Sequence, residues 1–274
     1  MLDRRFDTTL ITGATGGIGW ELARCFAPDS GRMVLVGRDE DKLRDAADKL
    51  EDEFGIETRI IVENLAEPGA AKRISETVEG LGVQIDALVN CAGFAYDERF
   101  IESDIERQKE LVQVNDTALM ELCHAFAPAM AERGHGSILN VASMAGFMAG
   151  PFMATYYASK AFVQSFSQSL RIELYSSGVH VTALCPGPVR TEFWDKADAG
   201  NTVLAHVTLG PRQIAKTAYL ALKVNKAFCV PGLLPKVVVF ITRLLPRTLI
   251  TRIAGLLQLP NRKKGQGGED KRRG

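Results

Sequence analysis

The chain has 274 residues, 46% of them hydrophobic and 24% charged, with 33 basic and 33 acidic side chains. That is ordinary for a soluble globular protein with one large core, and it points to no nucleic-acid partner. Five widely spaced cysteines without a Cys-x-x-Cys fit reduced thiols better than a disulfide scaffold or a zinc site, and the four histidines show no metal-ligand spacing.

The N-terminus lacks an apolar core of signal-peptide length, so a cytoplasmic location is expected. The charge is unevenly spread. From Pro235 onward there are ten basic and two acidic residues, against 23 basic and 31 acidic before it.

The first 90 residues alternate strand and helix signals. Thr8–Thr12 reads as a short apolar strand, and the glycine-rich Thr12–Gly19 leads from it into a helix through Phe26. A glycine turn between strand and helix brings backbone N–H groups and the positive helix end up to a phosphate. Met33–Gly37 is a second strand, followed by Arg38. An arginine here accommodates the 2′-phosphate of NADP, where a carboxylate would bind the free hydroxyl of NAD. NADP(H) is therefore expected over NAD(H), and Asp39 is expected to cap the helix that runs to Phe54.

Strands follow at Thr58–Val62, ending in Glu63-Asn64-Leu65, and at Asp86–Asn90, running into Cys91-Ala92-Gly93, with a helix over Ala70–Leu81 between them. One long helix is expected over Ile105–Arg133, carrying Asn115. Gly136–Ala142 is a fifth strand delivering Ser143. The helix Pro151–Ser177 shows Phe162, Phe166, Leu170 and Leu174 every four residues and is closed by Gly178. Its Tyr156 and Lys160 are one turn apart, so the ammonium is expected to pull the tyrosine pKa down. Val179–Cys185 and Ala227–Val230 complete about seven strands. Continuous apolar strands of this kind imply a parallel, doubly wound (Rossmann-like) α/β sheet in a single domain over 1–234.

Together, Thr12–Gly19, Asn90–Gly93, Asn115, Ser143, Tyr156/Lys160 and Pro186–Thr191 resemble the short-chain dehydrogenase/reductase family in its single-domain branch. The resemblance covers roughly residues 6 to 232. It implies an oxidoreductase that interconverts a ketone or aldehyde with an alcohol by hydride transfer. Tyr156 would be the acid/base, Ser143 would hold the substrate oxygen, Lys160 would hold the nicotinamide ribose, and Asn115 would hold a relay water. The cofactor set it implies is Gly13, Thr15, Gly17, Ile18, Gly19, Arg38, Asn64, Leu65, Asn90, Ala92, Gly93, Tyr156, Lys160, Pro186, Gly187, Val189 and Thr191. Asn64 stands where the family usually has an aspartate, and Cys91 replaces the second asparagine of Asn-Asn-Ala-Gly. Cys91 reads as a small buried residue rather than a redox thiol. The competing reading is a non-catalytic NADP-binding regulator, against which the intact Asn115, Ser143, Tyr156 and Lys160 speak. Homodimers or homotetramers are the family's usual assemblies.

Residues expected around Tyr156 are Phe94, Phe147, Met148, Met153, Pro188, Phe193 and Trp194, which implies a small hydrophobic substrate. Thr191–Gly210 reads as a lid. The extension over 235–260 carries two amphipathic stretches broken at Pro246, too short to span a bilayer. Packing on the body or on a second subunit is favoured there over peripheral membrane contact. Residues 261–274 read as a disordered basic tail.

Overall fold

Strand β1 (Phe6–Thr12) is paired on both edges, with β2 (Ser30–Gly37) on one side and β4 (Ala87–Asn90) on the other. Beyond β2 lies β3 (Glu57–Val62). Beyond β4 follow β5 (Gly136–Val141), β6 (Val179–Leu184) and β7 (Phe228–Cys229), so the order is β3-β2-β1-β4-β5-β6-β7 with every pair parallel. The order reverses between β1 and β4, which opens a crevice at the carboxyl ends of the strands. The computed structural model describes residues 6–189 and 209–265, with side chains through Gln258.

The inner strands β4, β5 and β6 are buried on both faces, β5 along its whole length, whereas the edge strand β3 exposes Arg59 and Val62. Helices α1 (Gly17–Phe26) and α2 (Glu40–Phe54) cover one face, and α3 (Ala70–Gly80) lies on the other. Leu22, Phe26, Leu43 and Leu50 fill the first layer, and Ile74, Leu88, Leu122 and Val163 the second. Phe26 is fully buried, and its truncation to Ala would cost about 3–5 kcal/mol. Asp39 caps α2 as expected, its Oδ1 accepting from Lys42 N at 3.1 Å.

Two helices differ from expectation. The stretch Ile105–Arg133 is not one regular helix. It is α4 (Ile105–Val112) and α5 (Ala118–Arg133), separated by a π turn over Gln113–Thr117 in which Ala118 N–H reaches back to Gln113 O. Such bulges re-aim side chains, and this one contains Asn115.

Helix α6 spans Ala154–Glu173, and a 3₁₀ turn at Tyr175–Ser177 runs into the left-handed Gly178. Of the expected stripe, Phe166, Leu170 and Leu174 pack half-buried against the second core layer, but the fully buried face is another. That face is Tyr156, Ser159, Lys160, Val163, Gln164 and Ser167, while Phe162 is 38% exposed. The periodicity located an apolar flank, and the packing chose the polar face because its groups find partners in the sheet.

After β6, α7 (Pro211–Lys223) returns to the first layer, and β7 is shorter than the expected Ala227–Val230. Helices α8 (Leu233–Leu244) and α9 (Arg247–Gly265) follow, broken at Pro246 as expected. Because α9 continues through Gly265, residues 261–265 of the expected disordered tail are helical; the rest of that tail lies outside the described residues.

Candidate active site

The glycine turn begins where β1 ends. Gly13 has φ +69°, and a side-chain carbon there would meet the Ala92 backbone at 3.0 Å; its N–H is tied to Val36 O at 3.0 Å. A side chain on Gly19 would collide with the Gly13 carbonyl. These two glycines let α1 start against the turn. The N-cap, Gly16, offers no side chain, and the first turn of α1 carries no acidic residue. The orphan N–H groups and positive end of α1 therefore remain open to an anion, a cradle that fits the pyrophosphate of a dinucleotide. Thr15 and Ile18 border the turn half-buried.

Facing it, Thr12 Oγ1 accepts from both Cys91 N and Ala92 N at 3.1 Å, pinning the Asn90–Gly93 bend. Asn90 turns its side chain into the sheet, donating to Asn140 Oδ1 at 2.9 Å, and Asn140 donates in turn to Ser167 Oγ at 3.0 Å. Its expected cofactor contact is thereby confined to its backbone. Leu65 likewise sends its side chain into the core. Asn64 Oδ1 accepts from Ala66 N at 3.2 Å, which leaves one lone pair for an adenine. Desolvation pushes the Cys91 thiol up to about 12, in keeping with an inert residue.

Arg38 follows β2 on the same rim, its side chain 66% exposed and 3.9 Å from Glu110. Pro186 O accepts from Met144 N at 2.9 Å, Gly187 lies under Pro235, and Val189 is buried in the first core layer. Thr191, with Phe193, Trp194 and most of the expected lid, lies outside the described residues.

Ser143, Tyr156, Lys160 and Asn115 converge at the carboxyl ends of β4 and β5. Ser143 shares a hydrogen bond with Tyr156, and its Oγ accepts from Ala145 N at 3.1 Å. Lys160 Nζ donates to Val141 O at 3.0 Å and lies 5.8 Å from the centre of the Tyr156 ring. Both donors of Asn115 are engaged: its Nδ2 donates to Phe94 O at 3.0 Å and Ser159 Oγ at 3.1 Å, and its Oδ1 accepts from Phe94 N at 3.1 Å with one lone pair to spare.

The electrostatics overturn one expectation. Tyr156 is not pulled down by Lys160. Burial pushes it up to about 12, and the hydrogen bond with Ser143 offsets only part of that. Burial also lowers Lys160 to about 8, against the opposing pull of Asp116, whose own carboxyl is raised by burial to about 6. Desolvation of the phenolate outweighs the lowering by the Ser143 hydrogen bond.

Sequence reading missed Ser159 and Gln164. Ser159 Oγ donates to Tyr156 O at 2.8 Å, linking Asn115 to the helix turn that carries the tyrosine. Gln164 Nε2 donates to Ser143 O at 2.7 Å and fixes the serine's backbone. Their signal was polar residues at helical spacing from Tyr156 and Lys160 on one face.

Around Tyr156, Ala95, Leu111, Ala145 and Met153 form a small apolar cluster, with Phe94, Tyr96 and Tyr157 packed against it. Phe147 does not join it; it faces Phe228 at 6.0 Å, in the second core layer. Glu98 and Gln108 add a polar rim to a shallow depression that also touches Phe152 and Thr155.

A doubly wound parallel sheet with an anion cradle and a Ser-Tyr-Lys-Asn cluster at its carboxyl edge defines a dinucleotide-binding oxidoreductase. A family model for the short chain dehydrogenases matches residues 7–202. An uncharacterized oxidoreductase of Staphylococcus saprophyticus is 34% identical over 81% of this chain and 94% of its own. The very-long-chain 3-oxoacyl-CoA reductase of Rattus norvegicus is 31% identical over 77% of this chain and 70% of its own. Among solved structures, a short-chain dehydrogenase from Sphingobium yanoikuyae in complex with NADPH superposes with a TM-score of 0.77. It is 34% identical and covers 82% of this chain and 88% of its own. The chain belongs to the short-chain dehydrogenase/reductase family, oxidoreductases acting on CH–OH and C=O groups.

Proposed function

We propose that the protein is an NADP(H)-dependent reductase of hydrophobic ketones or aldehydes, interconverting them with the corresponding alcohols. The observation that carries this reading is the buried Tyr156, hydrogen-bonded to Ser143 beside an apolar cluster. Its hydroxyl, held by Ser143 at the edge of that cluster, is placed to give a proton to a carbonyl oxygen.

The Gly13–Gly19 turn would hold the pyrophosphate, Arg38 the 2′-phosphate, Lys160 the nicotinamide ribose and Thr191 the carboxamide. NADPH, when bound, supplies the hydride. Ser143 and Tyr156 hold the substrate oxygen, and Tyr156 gives it the proton. Asn115 and Ser159 keep the α6 turn in register with the Phe94 backbone, and a water relay beside Lys160 would restore the proton. The apolar cluster excludes water and accepts the hydrophobic body of the substrate. The NADPH complex of the Sphingobium structure and the long-chain carbonyl named for the rat relative both support this assignment.

The test is NADPH oxidation with a panel of aromatic, acyl-chain and steroid-like ketones. Turnover of one apolar class is expected; NADPH binding without turnover of any would favour a non-catalytic regulator instead.

A further inference from the structure

We propose that α8 and α9 form a docking face for an anionic lipid surface beside the active-site mouth. Both helices have a face seated on the body. In α8, Val239 is buried and Pro235 lies against Gly187 and near Met144; in α9, Ile250 is buried, Gly255 lies against Pro151, and Gln258 Nε2 donates to Tyr157 Oη at 3.1 Å.

The opposite faces are apolar and open. In α8, Leu233, Val237, Phe240, Ile241 and Leu244 recur at helical spacing, with exposures from 43% to 79%. In α9, Leu249, Ile253, Leu256 and Leu257 repeat the pattern with exposures from 44% to 65%. Two consecutive helices with outward apolar stripes make a surface that ordinary monomers do not leave in water.

The charge chooses the occupant. Lys236, Arg243, Arg247 and Arg252 are exposed among these stripes, Arg262, Lys263 and Lys264 follow, and no acidic residue occurs between Asp198 and Glu269. Apolar stripes edged only by cations match the interface of a bilayer containing anionic lipids, where the side chains insert and the cations meet phosphate. A symmetric pairing of two such faces would bring like charges together. Among the described residues no helix is long and apolar enough to cross a membrane, so the contact is peripheral.

The docking needs nothing from the catalytic reading. Only its consequence rests on that reading: a hydrophobic carbonyl would reach Tyr156 directly from the bilayer, past α9, which touches Pro151 and Tyr157.

The test is flotation of the full chain with phosphatidylglycerol/phosphatidylcholine vesicles, compared with phosphatidylcholine alone and with high salt. No substrate is present, so the result is independent of turnover. The chain is expected to float with the anionic vesicles and to be released by salt. The exposed double variants Phe240→Ser/Ile253→Ser and Arg243→Gln/Arg252→Gln should each lower partitioning on the order of tenfold. Their far-UV circular dichroism and NADPH affinity should not change. Absence of flotation by the wild type, or flotation equal in wild type and variants, overturns the proposal. If Phe240→Ser/Ile253→Ser instead lowers the particle mass in light scattering while no form floats, the face belongs to a second copy.

Discussion

Lys160 gives its ammonium to the carbonyl oxygen of Val141, 3.0 Å away at the end of β5. The charge is thus fixed to the sheet, with the Tyr156 ring centre 5.8 Å from it. One backbone bond offsets only part of the cost of burying an ammonium, and the pKa falls to about 8 from its ordinary 10.5. The folded value is the lower one, so the unfolded chain holds this proton more tightly. The cost is full below about pH 8 and fades as pH rises towards 10.5. Lys160→Met should therefore abolish turnover while stabilising the cofactor-free protein near neutral pH by about 1–3 kcal/mol. Thermal unfolding checks it, and a lower Tm would show that the Val141 bond outweighs desolvation.

Tyr156→Phe keeps the ring and removes the proton donor. Turnover should drop by about 10²–10⁴-fold with NADPH affinity nearly unchanged. Tyr157→Phe removes only the hydroxyl that accepts from Gln258, and should cost less than about tenfold. Steady-state kinetics with fluorescence titration of NADPH separate the two. Equal losses would withdraw the assignment of Tyr156.

Arg38 is exposed and only loosely engaged by Glu110. Arg38→Ala should weaken NADPH binding by about 1.5–3 kcal/mol, the range of a charge-assisted hydrogen bond, and leave NADH binding within a few-fold. Glu110→Gln should act in the opposite direction on NADPH. Titrations of both cofactors measure it; a wild-type preference for NADH would contradict the role given to Arg38.

Asp116, next to Asn115 in the π turn, has a carboxyl raised by burial to about 6 from 3.8, and its Oδ1 has no hydrogen-bond partner among the described residues. Here the folded state holds the proton more tightly. The group's contribution is most favourable below about pH 4 and is lost as pH rises through 6. Asp116→Asn should consequently stabilise the fold by about 1–2 kcal/mol near pH 7 and have almost no effect near pH 4. Paired melting curves at the two pH values decide it. It should also lower the Lys160 pKa further, since the carboxylate is what holds it up.

The sheet was legible because strands buried on both faces leave a plain record, and the glycine turn between β1 and α1 has a spacing set by steric contact. The site was legible as a set of residues but not as an electrostatic system. Adjacent positions on a helix suggested that Lys160 acts on Tyr156; the carbonyl of Val141, nineteen residues away, decides where the ammonium goes. The π turn left no trace, since a single i→i+5 bond needs no particular residue. On α6 the apolar repeat marks Phe162 and Phe166, whose rings stack on each other at 5.8 Å, and nothing marks Ser159, Gln164 and Ser167 as members of the buried face that holds Tyr156 and Lys160.

The two neighbours of β1 lie very far apart along the chain. β2 begins at Ser30, whereas β4 begins at Ala87 and is preceded by Asp86, whose Oδ2 accepts from Asp7 N at 2.9 Å and Thr8 N at 3.1 Å. During synthesis, β1, β2 and β3 can associate once Val62 has left the ribosome, but the second edge of β1 stays open until Asn90 follows. At about 5–20 residues per second that exposure lasts roughly a few seconds. For that interval the nascent chain displays an apolar edge, Thr9 to Thr12, that any other strand could capture. Expression yield should accordingly respond to translation speed and chaperone supply more than to the stability of the finished fold.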